Sequence, residues 1–324
     1  MLRILDGDTV RALYPIADAV ADMADALVRF SAGETYQHPR VTAEPPGEGG
    51  LVLVMPAATA GSVGLKVLSM YPRAAERGLP AVQGLIVLLD ATYGEPLAVL
   101  DGIAVTEIRT AAVTALATDR LAPPDAAVLG VVGAGVQARA HLAGLAPLRP
   151  WKQVRVFGPT PDRVAATVAY ARDQGLPAEP AGSATDAVAG ADVVCTVTSA
   201  SRPVLADAAV AERNVHVNAI GAFGAGAREL PTALVRRARL VVDSREAALR
   251  EAGDLLVPIA EGALGPDAVT AELGEVLAGT APGRLGDEVT VFKSLGLAIE
   301  DLVAGGAVLR RAVERDAGTR IRFP

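Results

Sequence analysis

The chain has 324 residues, 51% hydrophobic and only 3% aromatic, with 30 Lys and Arg against 37 Asp and Glu. That length holds about two ordinary domains with sizeable cores, and a net charge of −7 leaves no basic footprint for nucleic acid. A lone cysteine, Cys195, excludes an intramolecular disulfide and a cysteine-based metal site, so a cytoplasmic setting is expected.

The first residues, Met1-Leu-Arg-Ile-Leu-Asp-Gly-Asp8, contain no apolar run of signal-peptide length. Residues 14–30 predict an amphipathic helix. Ile16, Val20, Met23, Ala24 and Leu27 recur at helical spacing, Asp18, Asp22 and Asp25 take the other face, and Gly33 ends it. The three aspartates read as a solvated helix face in preference to a metal site.

From Arg40 to Leu100 the texture is that of strands. Val41-Thr-Ala, Gly50 to Met55, Val63 to Ser69, Gly84 to Asp90 and Pro96 to Asp101 are separated by turns rich in Pro and Gly, which predicts an antiparallel or mixed sheet. The apolar stretch Leu51 to Ser69 is cut by Pro56, Gly61, Gly64 and Lys66, so no membrane span is expected. Thr106 to Leu121 predicts a long helix opened by Thr106 as its cap, and Ala122-Pro-Pro-Asp125 stops it and marks a domain boundary.

Beyond that boundary strands and helices alternate: Val128–Val132, a helix from Val136, Gln153–Phe157, a helix from Pro161 or Asp162 to Gln174, then strands at 191–197, 215–220 and 240–243. The pattern predicts a doubly wound parallel sheet of the Rossmann type, an α/β fold, beside the strand-rich α+β part. Residues 285–316 read as a final helix pair, with Lys293-Ser294 opening the last helix.

The strand Val128–Val132 runs into Gly133-x-Gly135-x-x-Ala138, a dinucleotide fingerprint. Gly133 allows the tight turn, Gly135 lets backbone approach a pyrophosphate, and Ala138 lets helix pack on strand. The N–H groups at the helix start, around Val136 and Gln137, would hold the phosphates. A purely structural glycine turn is the alternative. The next strand ends Gly158-Pro-Thr160-Pro-Asp-Arg163, with no carboxylate at its tip to bind a ribose 2′-hydroxyl. Thr160 and Arg163 suit a 2′-phosphate, so NADP(H) is favoured over NAD(H). Alternatively, Thr160 or Asp162 caps the next helix.

Three basic residues stand in the strand-rich part: Arg40, Lys66 inside an apolar strand, and Arg109 near a predicted helix start, where a cation is electrostatically misplaced. Lys66 shares a strand face with Gly64 and Leu68; it is either solvent-facing or set toward an anionic substrate. Gln83, at the mouth of a strand, is a candidate substrate contact. Cys195 reads as inert core, His38 and His141 lack a metal-ligand partner set, and His216, in a strand, reads as packing.

The segments His38-Pro-Arg40, Gly64-Leu-Lys66-Val-Leu-Ser, Glu107-Ile-Arg109-Thr-Ala-Ala-Val-Thr-Ala, Gly133-Ala-Gly-Val-Gln-Ala, Val217-Asn-Ala-Ile-Gly221 and Thr290-Val-Phe-Lys293-Ser-Leu-Gly together resemble the ornithine cyclodeaminase/mu-crystallin family over nearly the whole chain. The resemblance implies a substrate-binding and dimerisation domain (residues 1–121 and 300–324), a dinucleotide-binding domain (122–299) and a homodimer. It implies that Arg40, Lys66 and Arg109 grip an α-carboxylate beside a nicotinamide, Lys66 doubling as acid–base, and that the Ser294 segment lies near the nicotinamide. Phe223 stands where cyclodeaminases carry an aspartate, and Leu53 where they carry a carboxylate. Both departures favour members that reduce ketimines of 2-oxo acids, such as Δ1-pyrroline-2-carboxylate reductases, for which Phe223 would pack on an apolar ring. The expectation is NAD(P)H-dependent reduction of a small carboxylated imine such as Δ1-pyrroline-2-carboxylate or Δ1-piperideine-2-carboxylate. The alternatives are an ornithine or lysine cyclodeaminase, an amino-acid dehydrogenase, and a non-catalytic nucleotide binder.

Overall fold

The structure, a computed structural model, describes residues 1–47 and 49–322. Two compact units divide it: one runs from Met1 to Thr110 and resumes at Leu297, the other spans Ala111–Gly296.

The first unit opens with β1 (Leu2–Leu5), α1 (Gly7–Leu13), α2 (Ile16–Ser31) and the short strands β2 (Tyr36–Gln37) and β3 (Val41–Ala43). The long strands β4 (Leu51–Thr59), β5 (Ser62–Met70), β6 (Val82–Asp90) and β7 (Pro96–Asp101) follow as an antiparallel meander, which β1 joins in parallel through β7. The expected mixed sheet is therefore present. Register sets Met55, Lys66, Ile86 and Leu100 abreast on one face, and the two-residue period puts Val54, Val67 and Leu85 on the other. The three aspartates of α2 go to separate partners: Asp18 to Arg311, Asp22 to the Tyr14 hydroxyl, Asp25 to Arg29.

Next comes α3 (Gly102–Leu121), which starts earlier than expected. Asp101 Oδ1 accepts from the N–H groups of Ile103 (2.9 Å) and Ala104 (2.8 Å), so Asp101 performs the capping assigned to Thr106. Thr106 lies within the helix, its hydroxyl donating back to Gly102 O at 2.6 Å. The division between units falls inside α3, between Thr110 and Ala111, and not at the prolines that end it. The second half of the helix is bound into the second unit: Thr114 Oγ1 meets His141 Nε2 at 2.9 Å, and Thr118 Oγ1 accepts from Asn218 Nδ2 at 3.0 Å.

The second unit contains β8 (Val128–Val132), α4 (Val136–Leu145), β9 (Gln153–Phe157), α5 (Pro161–Asp173), β10 (Ala178–Pro180), α6 (Ala184–Val188), β11 (Val193–Thr196) and β12 (Val215–Ala219). It continues with α7 (Thr232–Arg237), β13 (Arg239–Val242), α8 (Arg245–Glu251), α9 (Gly253–Ala260), β14 (Val269–Glu272), α10 (Leu273–Leu277) and β15 (Val289–Lys293). The strands form one parallel sheet in the order β10-β9-β8-β11-β12-β15-β13-β14. This is the doubly wound pattern, with the order reversing at β8 and β11. Each face carries its own apolar cluster: Leu129, Val131, Val193 and Cys195 belong to one, Val132, Val194, Val217 and Val291 to the other. One correction concerns β15, whose residues were expected to lead into a helix pair. Every residue of β15 is buried between β12 and β13, and a strand covered on both faces loses the alternation that betrays a strand in sequence.

The chain then returns to the first unit as α11 (Ala298–Glu314), beginning after Gly296 rather than at Ser294, and β16 (Thr319–Ile321) closes that sheet against β1. Helix α11 lies on the β4–β6 face that carries Lys66. Gly64 makes the close approach: a Cβ there would meet Val87 O at 2.5 Å and Leu302 Cδ1 at 2.9 Å. Among the described residues, no helix is long and apolar enough to cross a membrane, and no group of three or more His, Cys, Asp or Glu is placed to hold a metal ion.

Candidate active site

Lys66 is not a solvent-facing strand residue; it is 2% exposed, under α11. Its Nζ donates to Thr106 Oγ1 at 2.7 Å and lies 3.1 Å from both carboxylate oxygens of Asp301. Arg109 is also buried, with Nε 3.1 Å from Asp301 Oδ1 and Nη1 2.8 Å from Glu300 Oε2. Burial brings the Lys66 ammonium down to about 8; the Asp301 carboxylate pulls against this, while the charges of Arg109 and Arg40 add to it. Arg40, half-buried just before β3, is thus within electrostatic reach of Lys66. The structure therefore groups the three predicted cations and pairs Lys66 and Arg109 with carboxylates outside the predicted set. Glu300 and Asp301 stand inside the apolar run Ala298-Ile-Glu-Asp-Leu-Val303, and two acids at the start of an apolar helix were the available signal.

Gln83 is placed elsewhere. It lies exposed at the start of β6, abreast of Ser69, and the alternation puts it on the sheet face opposite Lys66. Leu53 is buried on the Lys66 face, and Met55 lies directly abreast of the lysine, so the β4 side of the cluster is apolar.

In the second unit the glycine turn takes the form its sequence implies. Gly133 has φ +123°, and a Cβ on it would fall 2.7 Å from Val197 O. Gly135 precedes α4 in extended backbone; a Cβ there would find nothing within 4 Å, and no side chain caps the helix. The N–H groups at the helix start, at Val136 and Gln137, therefore lie beside open space suited to an anion. This cradle fits the pyrophosphate of a dinucleotide. At the β9 tip, Thr160 and Arg163 are both exposed, and Thr160 makes no side-chain capping bond to α5.

The carboxyl ends of β12 and β15 carry the remaining candidates. Phe223 lies in the loop after β12 and is 38% exposed, well short of a core side chain. Ser294 is buried and donates to Asp243 Oδ2 at 3.1 Å, with its backbone N–H on Ala219 O. Lys293, also buried, ends β15; it donates to Ala222 O at 2.6 Å and pairs with Asp254 at 3.0 Å.

The ornithine cyclodeaminase/mu-crystallin family pattern matches residues 4–316. A Delta(1)-pyrroline-2-carboxylate reductase from Bacillus cereus is 36% identical over 325 residues, covering 99% of each chain. The structure of the Thermococcus litoralis Delta(1)-pyrroline-2-carboxylate reductase, in complex with NADH and L-proline, superposes with a TM-score of 0.94 at 32% identity, over 98% of this chain and 100% of that one. An archaeal alanine dehydrogenase dimer with bound NAD gives the same TM-score and identity, over 99% of each chain. The chain belongs to the ornithine cyclodeaminase/mu-crystallin family.

Proposed function

We propose that the protein is an NAD(P)H-dependent reductase of small carboxylated imines, cyclic or N-substituted, yielding the corresponding amino acid. The observation that carries this is the buried cluster around Lys66, a proton donor near pKa 8 set beside two arginines. Arg40 and Arg109 are suited to a planar carboxylate, which they fix in orientation. Lys66 is suited to protonate the imine nitrogen, because an acid works best when its pKa lies near the working pH. A bound reduced nicotinamide supplies the hydride. The relatives named as Delta(1)-pyrroline-2-carboxylate reductases support this substrate class. Phe223 and Leu53 argue against cyclodeaminase chemistry, since neither accepts a proton or pairs with an ammonium group.

The turn from Gly133 to Ala138 would hold the dinucleotide, with Ser294 nearby at the carboxyl edge of the sheet. NADP(H) is the favoured form, because Thr160 and Arg163 stand exposed at the β9 tip where no carboxylate does; the solved relatives contain NADH and NAD. A homodimer is favoured by the open apolar face of the first unit's sheet, where Leu85 is 52% exposed and Val41 and Tyr36 are exposed with it. A cytoplasmic location completes the reading.

The test is direct. Purified protein is given NADPH or NADH with Δ1-pyrroline-2-carboxylate or Δ1-piperideine-2-carboxylate, and cofactor oxidation is followed by absorbance. Oxidation is expected, and Lys66→Ala should lower kcat by about 10²–10⁴-fold without weakening dinucleotide binding. No oxidation of either cofactor, with NAD+-dependent turnover of an amino acid instead, would replace this reading with an amino-acid dehydrogenase or cyclodeaminase.

A further inference from the structure

The middle member of the buried charge cluster is a residue that no substrate reading requires. Asp301 Oδ1 lies 3.1 Å from Lys66 Nζ and 3.1 Å from Arg109 Nε, so one oxygen is shared by both cations. Oδ2 lies 3.1 Å from the same Nζ, and Asp301 is 1% exposed. The other neighbour of Nζ is Thr106, whose hydroxyl proton is already committed to Gly102 O. Both neighbours of Nζ are therefore acceptors. A neutral amine has two N–H groups and would spend both on them; an ammonium has three, and keeps one for a substrate atom.

We propose that Asp301 is the positioning residue of this site, holding Lys66 as an ammonium donor and fixing it to Arg109 through a shared oxygen, so that the pair accepts an anionic group next to a basic C=N nitrogen. This rests on the reading of Lys66 as the proton donor. The step balances as follows: the imine carbon gains the hydride, and the C–N π pair moves to nitrogen. That nitrogen takes a proton from the Lys66 ammonium, which is left neutral and regains its proton from water. Among the described residues, the charged groups facing Lys66 are Asp301 from α11, Arg109 from α3 and Arg40 from the segment before β3; Thr106 is uncharged, and Met55 and Ile86, abreast on β4 and β6, do not titrate. Glu300 accepts from Arg109.

Two variants of the full chain separate the roles. Asp301→Asn keeps the size and removes the charge that favours the ammonium. The alkaline limb of kcat against pH should then move down by about 1–3 units, with dinucleotide affinity unchanged and Asp301→Glu restoring part of the shift. Glu300→Gln should raise KM for the carboxylated imine and leave that limb in place. An Asp301→Asn limb at the wild-type pH overturns the proposal, as does an equal shift in Glu300→Gln. A wild-type limb that persists in Lys66→Ala would instead remove Lys66 as the donor, which is a failure of the functional reading and a different result. Should Asp301→Asn not fold, the wild-type lysine is titrated by carbon NMR of lysine-labelled protein, with Lys66→Arg assigning the signal. A midpoint near 8 is expected; one below neutrality overturns the proposal.

Discussion

Lys293 Nζ lies 3.0 Å from Asp254 Oδ2, with both side chains only 1% exposed. Asp254 Oδ1 accepts from the N–H groups of Glu229 and Leu230, and Lys293 holds Ala222 O, so the pair ties down both ends of the loop that bears Phe223. Glu229 completes the tie, accepting from Thr196 Oγ1, Thr198 N and Gly221 N. Breaking such a pair leaves a buried charge without a partner. Lys293→Met should therefore cost about 3–5 kcal/mol of stability, read as a lowered midpoint in thermal or urea unfolding. A midpoint within experimental error of wild type would show that the loop is held by other means.

The two glycines of the turn should respond differently to the same methyl group. At Gly133 it meets Val197 O at 2.7 Å on a φ of +123°, so Gly133→Ala should lose about 1–3 kcal/mol of stability. At Gly135 it meets no protein atom within 4 Å, so Gly135→Ala should unfold like wild type yet bind dinucleotide more weakly. Fluorescence titration with NADPH, paired with unfolding curves, distinguishes them; undiminished affinity in Gly135→Ala would place the pyrophosphate elsewhere.

Arg163 is the residue on which the proposed NADP(H) preference rests. A charged hydrogen bond to phosphate is worth roughly 1.5–3 kcal/mol, so Arg163→Ala should lower kcat/KM for NADPH by about 10–100-fold while leaving NADH unaffected. Equal losses with both cofactors would count against a 2′-phosphate contact there.

Acid should destabilise the second unit through its buried histidines. Burial holds His141 down to about 4 and His216 down to about 3, against an ordinary value of 6.5. Both are neutral when folded, and the unfolded chain takes up their protons first. Their contribution is thus complete above 6.5 and is lost as pH falls from 6.5 toward the folded values. Each should cost about 2 kcal/mol by pH 5. Urea midpoints between about pH 7.5 and about pH 5 should fall accordingly, and less steeply in His141→Gln; an identical slope in that variant would exonerate His141.

Much of the site was legible because it is local. The turn at Gly133 depends on a strand, a positive φ and a helix start within a dozen residues, and each leaves its mark in residue type. The strands of the first unit announce themselves by alternation and turns. The start of α3 was misplaced because Asp101 ends a strand and caps a helix at once, and its capping bonds are invisible in a linear reading. β15 was misassigned because full burial on both faces removed its period.

The sequence by itself determined the parallel sheet, its glycine turn, the mixed sheet of the first unit and the three cations Arg40, Lys66 and Arg109. Those follow from periodicity, from glycine at a positive φ and from charge in an apolar setting, all properties of short windows. Only the tertiary structure decided what the cations meet. Lys66 and Asp301 are 235 residues apart in the chain, and only α11, lying close over Gly64, joins them. Such a pairing reflects how the chain returns on itself, and no period or composition in either segment encodes its partner.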